Sequence, residues 1–338
     1  MESLYFRVPK NRGEQTRREL IELGVVDKNL KIKREDDDVL IPVLKRIEGY
    51  EMGIGDFEDV IIERSPAEIL GFSPAYEQIG DIAIIDRHEP QAQRVAQVLL
   101  KQNRIKTVLQ AETSVSGEYR TRSVSILAGE RRTETLYREN ECRYLLDLSK
   151  VYFTPRLSTE RARIADQISD GDTVVDMFAG VGPFCILIAK RFPRAHVIAI
   201  DKNPDAVRYL KENVKLNRVK NVEIIDRDAR DAAKDISGAD HVIMNLPHSA
   251  IEFLDAAFGL IKNGGVIHFY AISHEDDLFD GILKRIEDIA GISGFHIVPL
   301  NKRIVRPYAP YQFNICIDFQ VHSSAVSHSR HSVNFKYP

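Results

Sequence analysis

The sequence predicts an α/β protein whose main domain is a parallel sheet with helices on both faces, preceded by an α+β domain and a small amino-terminal unit. Three observations carry this. After Ser158 strand-like and helix-like runs alternate, through "TVVDMF", "FCILIAKRF", "HVIAID", "PDAVRYLKENVKLN", "NVEIID" and "HVIMNLP". Between about Ser65 and Lys150 short strand-like runs dominate instead, with one helical stretch around Gln91 to Gln102. Finally, "DGDTVVDMFAGVGPFCILIAKRF", Asp170 to Phe192, passes from a strand through a glycine turn into a helix, the arrangement by which parallel sheets hold nucleotides.

Taken in order, residues 1–48 read as a small unit with a strand near Leu4 to Val8 and a helix over Gly13 to Leu23. Ile32, Val39 and Ile41 then mark strands interrupted by the acidic turn Asp36 to Asp38. Gly49, Gly53 and Gly55 suggest a linker. Residues 62–150, with "IGDIAIID", "KTVLQ", "RSVSILAG" and "CRYLLDL", form an α+β domain on an antiparallel sheet. The alternating domain fills 151–320 and closes with "FHIVPLNKRIVRPYAPYQFNICIDFQ", two strands around a proline-rich turn that add antiparallel to the sheet edge. The serine- and histidine-rich stretch 321–338 reads as a tail that is either disordered or not native to the protein. Its His322, His328 and His331 are a weaker reading as metal ligands, so no metal is assigned.

Bulk properties exclude several classes. The 47 basic and 50 acidic residues leave a formal charge of -3, so any nucleic-acid contact must come from local patches. Cys142, Cys185 and Cys316 lack metal-ligand spacing and read as buried small hydrophobes in a reducing compartment. No run of about 18 apolar residues occurs, and the first residues lack a signal sequence. The expectation is a soluble cytoplasmic protein that makes no use of a membrane.

The glycine turn defines the ligand. Gly180 and Gly182 let backbone approach a small molecule, and Pro183 suits the first turn of the helix. A dinucleotide fingerprint requires another small residue where Cys185 stands behind bulky Phe184. Asp176, just before the turn, would repel a pyrophosphate but attract an amino group or a sulfonium. Asp201, closing the second strand, can accept from both hydroxyls of a ribose, and Asp228, closing the third, from an adenine amino group.

Carboxylates at three successive strand ends resemble the class I S-adenosylmethionine-dependent methyltransferases, with their Rossmann-like, mostly parallel seven-stranded sheet. That resemblance implies S-adenosyl-L-methionine as cofactor, bound by Asp176, Phe178, Gly180, Gly182, Asp201, Lys202, Asp228, Ala229 and Asn245.

The substrate side begins at the fourth strand's end, "MNLPHSA". Asn245, Leu246, Pro247 and His248 resemble the asparagine-x-proline-aromatic motif with which methyltransferases acting on nitrogen grip a planar base, with histidine in place of the usual tyrosine. Together with "KVYFTPRLSTER" and the arginine run Arg120, Arg122, Arg131 and Arg132, the chain resembles the archaeal and eukaryotic tRNA guanine-37 N1-methyltransferases.

That family implies methyl transfer to N1 of guanosine 37 in the anticodon loop, some archaeal members also methylating 4-demethylwyosine at that position. It also implies an amino-terminal domain that reaches the tRNA body. Guanine N1 carries a proton, so a general base is needed, and Glu160 is assigned to it. Arg120, or failing that Arg122, would stabilise charge developing on O6. Asn245 would orient the base, with Tyr152, Pro247 and His248 around it.

Position 37 must be turned out of its stack to react. Lys101, Arg104, Lys106, Lys302, Arg303 and Arg306 are expected RNA contacts on a monomer. The rival readings are methylation of an exocyclic amino group on RNA or DNA, a noncatalytic RNA-binding protein, and a nicotinamide dehydrogenase.

Overall fold

The computed structural model describes residues 1–60, 64–115 and 117–324. Its contacts divide the chain into two units, Met1–Pro74 and Ala75–Pro338. The first comprises β1 (Glu2–Pro9), α1 (Gly13–Glu22), β2 (Lys33–Glu35), β3 (Asp38–Val43), β4 (Glu51–Asp56) and α2 (Pro66–Leu70), with strand order β2-β3-β1-β4. Alternating apolar residues Phe6, Val8, Ile41 and Val43 bury against Leu20 of α1, which gives both middle strands their inward face.

The expected linker is a strand instead. Gly53 and Gly55 lie in β4, paired with β1, because Tyr5 lies across them: a β-carbon on Gly55 would stand 3.1 Å from Tyr5 Cε1. The small unit therefore continues past residue 48.

The second unit opens with β5 (Tyr76–Ile79), β6 (Ile82–Ile85), α3 (Ala92–Leu99), β7 (Thr107–Ala111) and β8 (Val124–Gly129), in the order β5-β6-β7-β8. This sheet is not wholly antiparallel as expected, since α3 carries the chain back so that β6 and β7 run parallel. A separate hairpin follows, β9 (Glu134–Glu139) and β10 (Cys142–Asp147).

The rest is α4 (Ser158–Ala165), β11 (Thr173–Asp176), α5 (Pro183–Arg191), β12 (His196–Asp201), α6 (Pro204–Asn217), β13 (Val222–Asp226), α7 (Ala229–Ala232), β14 (Ala239–Met244), α8 (Leu254–Leu260), β15 (Ile261–His274), α9 (Asp280–Ile292), β16 (Phe295–Ala309) and β17 (Gln312–Ser323). The seven strands are ordered β13-β12-β11-β14-β15-β17-β16. The five from β13 to β15 are parallel, and β17 and β16 complete the sheet antiparallel.

Both faces of this sheet are covered, which accounts for the unbroken apolar strands: Val174 and Val197 join one core, Val175 and Ile198 the other. The β9–β10 hairpin joins the sheet before it, where Thr135 Oγ1 donates to Asp81 at 2.8 Å, to this part of the unit. Asn213 of α6 exchanges hydrogen bonds with Leu145 N (2.7 Å) and O (3.0 Å), and Asn217 does so with Arg143 N (2.9 Å) and O (2.6 Å). Arg161 of α4 adds a buried pair to Glu139 of β9, at 2.6 and 2.7 Å.

Residues 321–323, expected in the tail, continue β17, where His322 stacks on His296. The remainder of the expected tail from residue 325, with His328 and His331, lies outside the described residues. All three cysteines are buried and free. Among the described residues no helix is long and apolar enough to cross a membrane.

Candidate active site

Strand order reverses at β11, between β12 and β14, and a cleft of about 560 Å³ opens there. Gly180, just past the tip of β11, has φ +55 and open space where a β-carbon would stand. Its N–H donates to Asp201 Oδ2 at 2.7 Å and Asn203 N–H donates to Oδ1 at 2.8 Å, so one carboxylate fixes both rims of the turn. Burial raises the Asp201 pKa, and those N–H groups oppose the rise.

β13 ends at Asp226, two residues short of Asp228, which instead caps α7 by accepting from Arg230 N at 2.9 Å. Lys202 bridges Asp228 (3.3 Å) and Glu118 (2.6 Å) of the loop between β7 and β8. Phe178 packs edge-on to Phe253, ring centres 5.0 Å apart, and Ala229 completes this wall.

On the other side of the cleft stand Asn245 and His248, from the turn after β14, with Tyr152 and Arg120. The Arg120 guanidinium lies 5.3 Å from the centre of the Tyr152 ring. Arg120 holds a left-handed backbone (φ 52), a strained state for a non-glycine residue. His248 meets the Tyr308 ring edge-on at 5.2 Å, and burial, with the nearby Arg120 charge, lowers its pKa. A smaller chamber of about 80 Å³ adjoins the cleft; Arg120, Tyr152, Phe178, Gly180, Asn245 and Tyr308 line both, and Pro247 lines the chamber alone.

Four expected site residues line neither space. Asp176 is 1% exposed beneath the turn, accepting from Phe178 N (3.2 Å) and the Cys185 thiol (3.4 Å), and burial pushes its pKa up to about 7. Gly182 is required by packing, for a β-carbon at its φ of +89 would run into Leu210 and stand 3.0 Å from Ile186 Cδ1. Arg122 is drawn away by Glu77 (3.2 Å).

Glu160 is 3% exposed in the first turn of α4. Arg163 binds its carboxylate bidentately at 2.7–3.1 Å, and Tyr270 OH donates to it at 2.9 Å. Asp318, supported by His268 at 2.8 Å, takes the rest of Arg163.

Sequence reasoning missed Tyr308 and Asn314 and took Arg306 for an RNA contact, yet all three line the chamber. The "RPYAPY" run signals a turn, and only pairing of β16 with β17 carries that turn over the cleft.

Three family models match the chain: a tRNA methyltransferase 5 N-terminal domain at residues 6–51, a TYW2 N-terminal domain at 57–133 and a TRM5/TYW2 methyltransferase domain at 135–298. The last begins within β9, in keeping with the packing of that hairpin. Over 332 residues the chain is 43% identical to Trm5b of Pyrococcus abyssi, a tRNA (guanine(37)-N(1))-methyltransferase, covering 94% of this chain and 99% of that protein.

A complex of aTrm5 with tRNALeu superposes with a TM-score of 0.69 at 35% identity, covering 94% of this chain and 99% of that one. M. jannaschii TYW2 in complex with AdoMet gives 0.60 at 30%, covering 74% and 100%. With likeness of that breadth added to its own sheet order and cleft, the chain belongs to the TRM5/TYW2 methyltransferase family.

Proposed function

We propose that this protein transfers the methyl group of S-adenosylmethionine to N1 of guanosine 37 of tRNA. The observation that carries the reading is one cleft lined by Asp201 and Asp228 together with Asn245, Arg120 and Tyr152. The cofactor fits what is present: open space beside Gly180, the acidic strand end Asp201 and the helix cap Asp228 for a nucleoside, and the apolar wall of Phe178 and Ala229. Bound there, it supplies an electrophilic methyl on a sulfonium.

In this reading the Asn245 amide orients the purine while Tyr152 and His248 flank it. Arg120 donates to O6 as negative charge gathers there, in a site where a fixed donor is worth more than in water. Glu160 receives the N1 proton through a bridging water or a movement of its neighbours, since Arg163 and Tyr270 enclose it. The enzyme works as a monomer in the cytoplasm, and exposed basic side chains such as Lys302 add phosphate contacts.

Tritiated methyl transfer onto tRNA transcripts bearing guanosine or another base at position 37, followed by nucleoside analysis, tests this. Label recovered as 1-methylguanosine from the guanosine transcript alone is expected. Label on an exocyclic nitrogen, or none on any transcript, refutes it. Glu160→Gln is expected to lower turnover about 100-fold or more with nucleoside binding intact; full activity removes Glu160 from the mechanism. Transcripts carrying 4-demethylwyosine test the second substrate.

A further inference from the structure

The two carboxylate oxygens of Glu160 are unlike. Oε1 is crowded: Arg163 donates to it from Nε at 3.1 Å and from Nη2 at 2.7 Å, and Tyr270 OH donates at 2.9 Å. Oε2 accepts one hydrogen bond among the described residues, from Arg163 Nε at 3.0 Å. Arg303 Nε stands 3.6 Å from Oε2, buried and bonded to nothing among the described residues. A proton arriving at this carboxylate therefore has room on Oε2.

Once protonated, Glu160 is neutral, and a mostly buried cation that loses its counter-ion is costly. Arg163 keeps one, because its guanidinium also meets Asp318: Nη1 bonds Oδ2, and Nη2 lies 3.3 Å from Oδ1. Asp318 is 1% exposed. Burial opposes its charge, but His268 Nδ1 at 2.8 Å and Arg163 outweigh burial and hold its carboxyl well below the usual carboxylate range. Its other neighbours are uncharged, namely the Cys316 thiol at 3.4 Å, which burial keeps protonated, and the Asn301 amide at 3.5 Å. Behind His268, at 3.1 Å, stands His241, which burial keeps neutral.

We propose that Asp318 and Tyr270 are positioning residues that set the basicity of Glu160 in opposite senses, Asp318 by sharing Arg163 with it and Tyr270 by donating to its charged form. The proposal rests on Glu160 taking the N1 proton. Two carboxylates around one guanidinium ease protonation of one of them, and Asp318, the better held, keeps its charge. A hydroxyl that donates to the carboxylate works the other way. In the reaction the N1–H bond breaks and its proton passes to Glu160, while the sulfur–methyl bond breaks as the N1–methyl bond forms. The donor leaves as a neutral thioether, with Arg163 still paired to Asp318.

Single-turnover methyl transfer to transcripts with guanosine 37, at saturating S-adenosylmethionine and tRNA and from pH 4 to 9, tests this. Asp318→Asn leaves Arg163 to Glu160 alone, so the acid limb of the rate is expected to move down by about one pH unit and the plateau to fall about tenfold. Tyr270→Phe keeps the ring and removes the donor, so its acid limb is expected to move up by about one pH unit. Half-saturating tRNA and S-adenosylhomocysteine affinity, the latter by calorimetry, stay within about twofold of the wild type. General loosening of the site does not produce shifts of opposite sign, and Tyr270→Phe carries the test by itself should the asparagine variant fail to fold.

A slower rate with an unmoved pH profile assigns the residues to folding and overturns the proposal, as do shifts of the same sign. Wild-type turnover by Glu160→Gln, or label from the wild type away from N1, sinks the base assignment itself, a distinct result.

Discussion

Asp176→Asn should make this protein more stable at neutral and alkaline pH. The carboxyl group is 1% exposed, accepts from one N–H and one thiol, and has no basic side chain bonded to it. Burial raises its pKa from 3.8 to about 7. Below pH 4 the group is neutral in both folded and unfolded chains and costs nothing. Between pH 4 and 7 the unfolded chain ionises while the folded one keeps its proton, so stability falls as pH rises. Above 7 the deficit is complete.

A gap of about three pH units corresponds to about 4 kcal/mol, an upper value because the turn can relax around the charge. Asparagine keeps the geometry, its Oδ1 accepting from Phe178 N and its amide facing Cys185. Denaturant midpoints measured at intervals from pH 4 to 9, without added nucleoside, should coincide near pH 4 and diverge in favour of the variant up to about 4 kcal/mol. An offset independent of pH, or a variant less stable at pH 8, refutes the argument.

Three further outcomes follow from geometry. Gly182→Ala, strained at φ +89 and crowded by Leu210 and Ile186, should cost about 3 kcal/mol in chemical denaturation. Gly180→Ala, in open space at φ +55, should cost only about 1 kcal/mol but weaken nucleoside binding in calorimetry, because the methyl enters the cleft. Glu139→Gln leaves Arg161 buried with its partner's charge gone and should destabilise by about 3–5 kcal/mol, read from the same denaturant midpoints. His241, whose pKa burial and the neighbouring His268 lower to about 4, stays neutral when folded while the unfolded chain protonates below 6.5. The His241 contribution should therefore fall as pH drops from 6.5 towards 4, opposing that of Asp176 over the same window, so the stability of the wild type relative to His241→Gln should decrease across it.

The parallel sheet was legible because its strands are continuously apolar and its helices amphipathic, a local signal. So were the turn at Gly180 and the acidic strand end Asp201, whereas Asp228 lies two residues past its strand and caps α7. The linker reading failed at Gly53 and Gly55 because glycine looks alike in a flexible segment and beneath a tyrosine ring. Asp176 and Gly182 carried the right residue types for a cofactor loop, yet one faces the interior and the other a neighbouring helix. Residue type does not say which way a side chain points at the end of a strand.

The sequence by itself determined the alternation of elements, the glycine turn and the chemistry of the cleft floor, because those depend on neighbours a few residues apart. Only the tertiary structure decided that Arg306 and Asn314 stand opposite each other over that floor and that Glu160 lies behind Arg163 and Tyr270. Tyr270 reaches Glu160 from 110 positions along the chain and Asp318 reaches Arg163 from 155. Pairing across such distances is set by how the whole sheet closes.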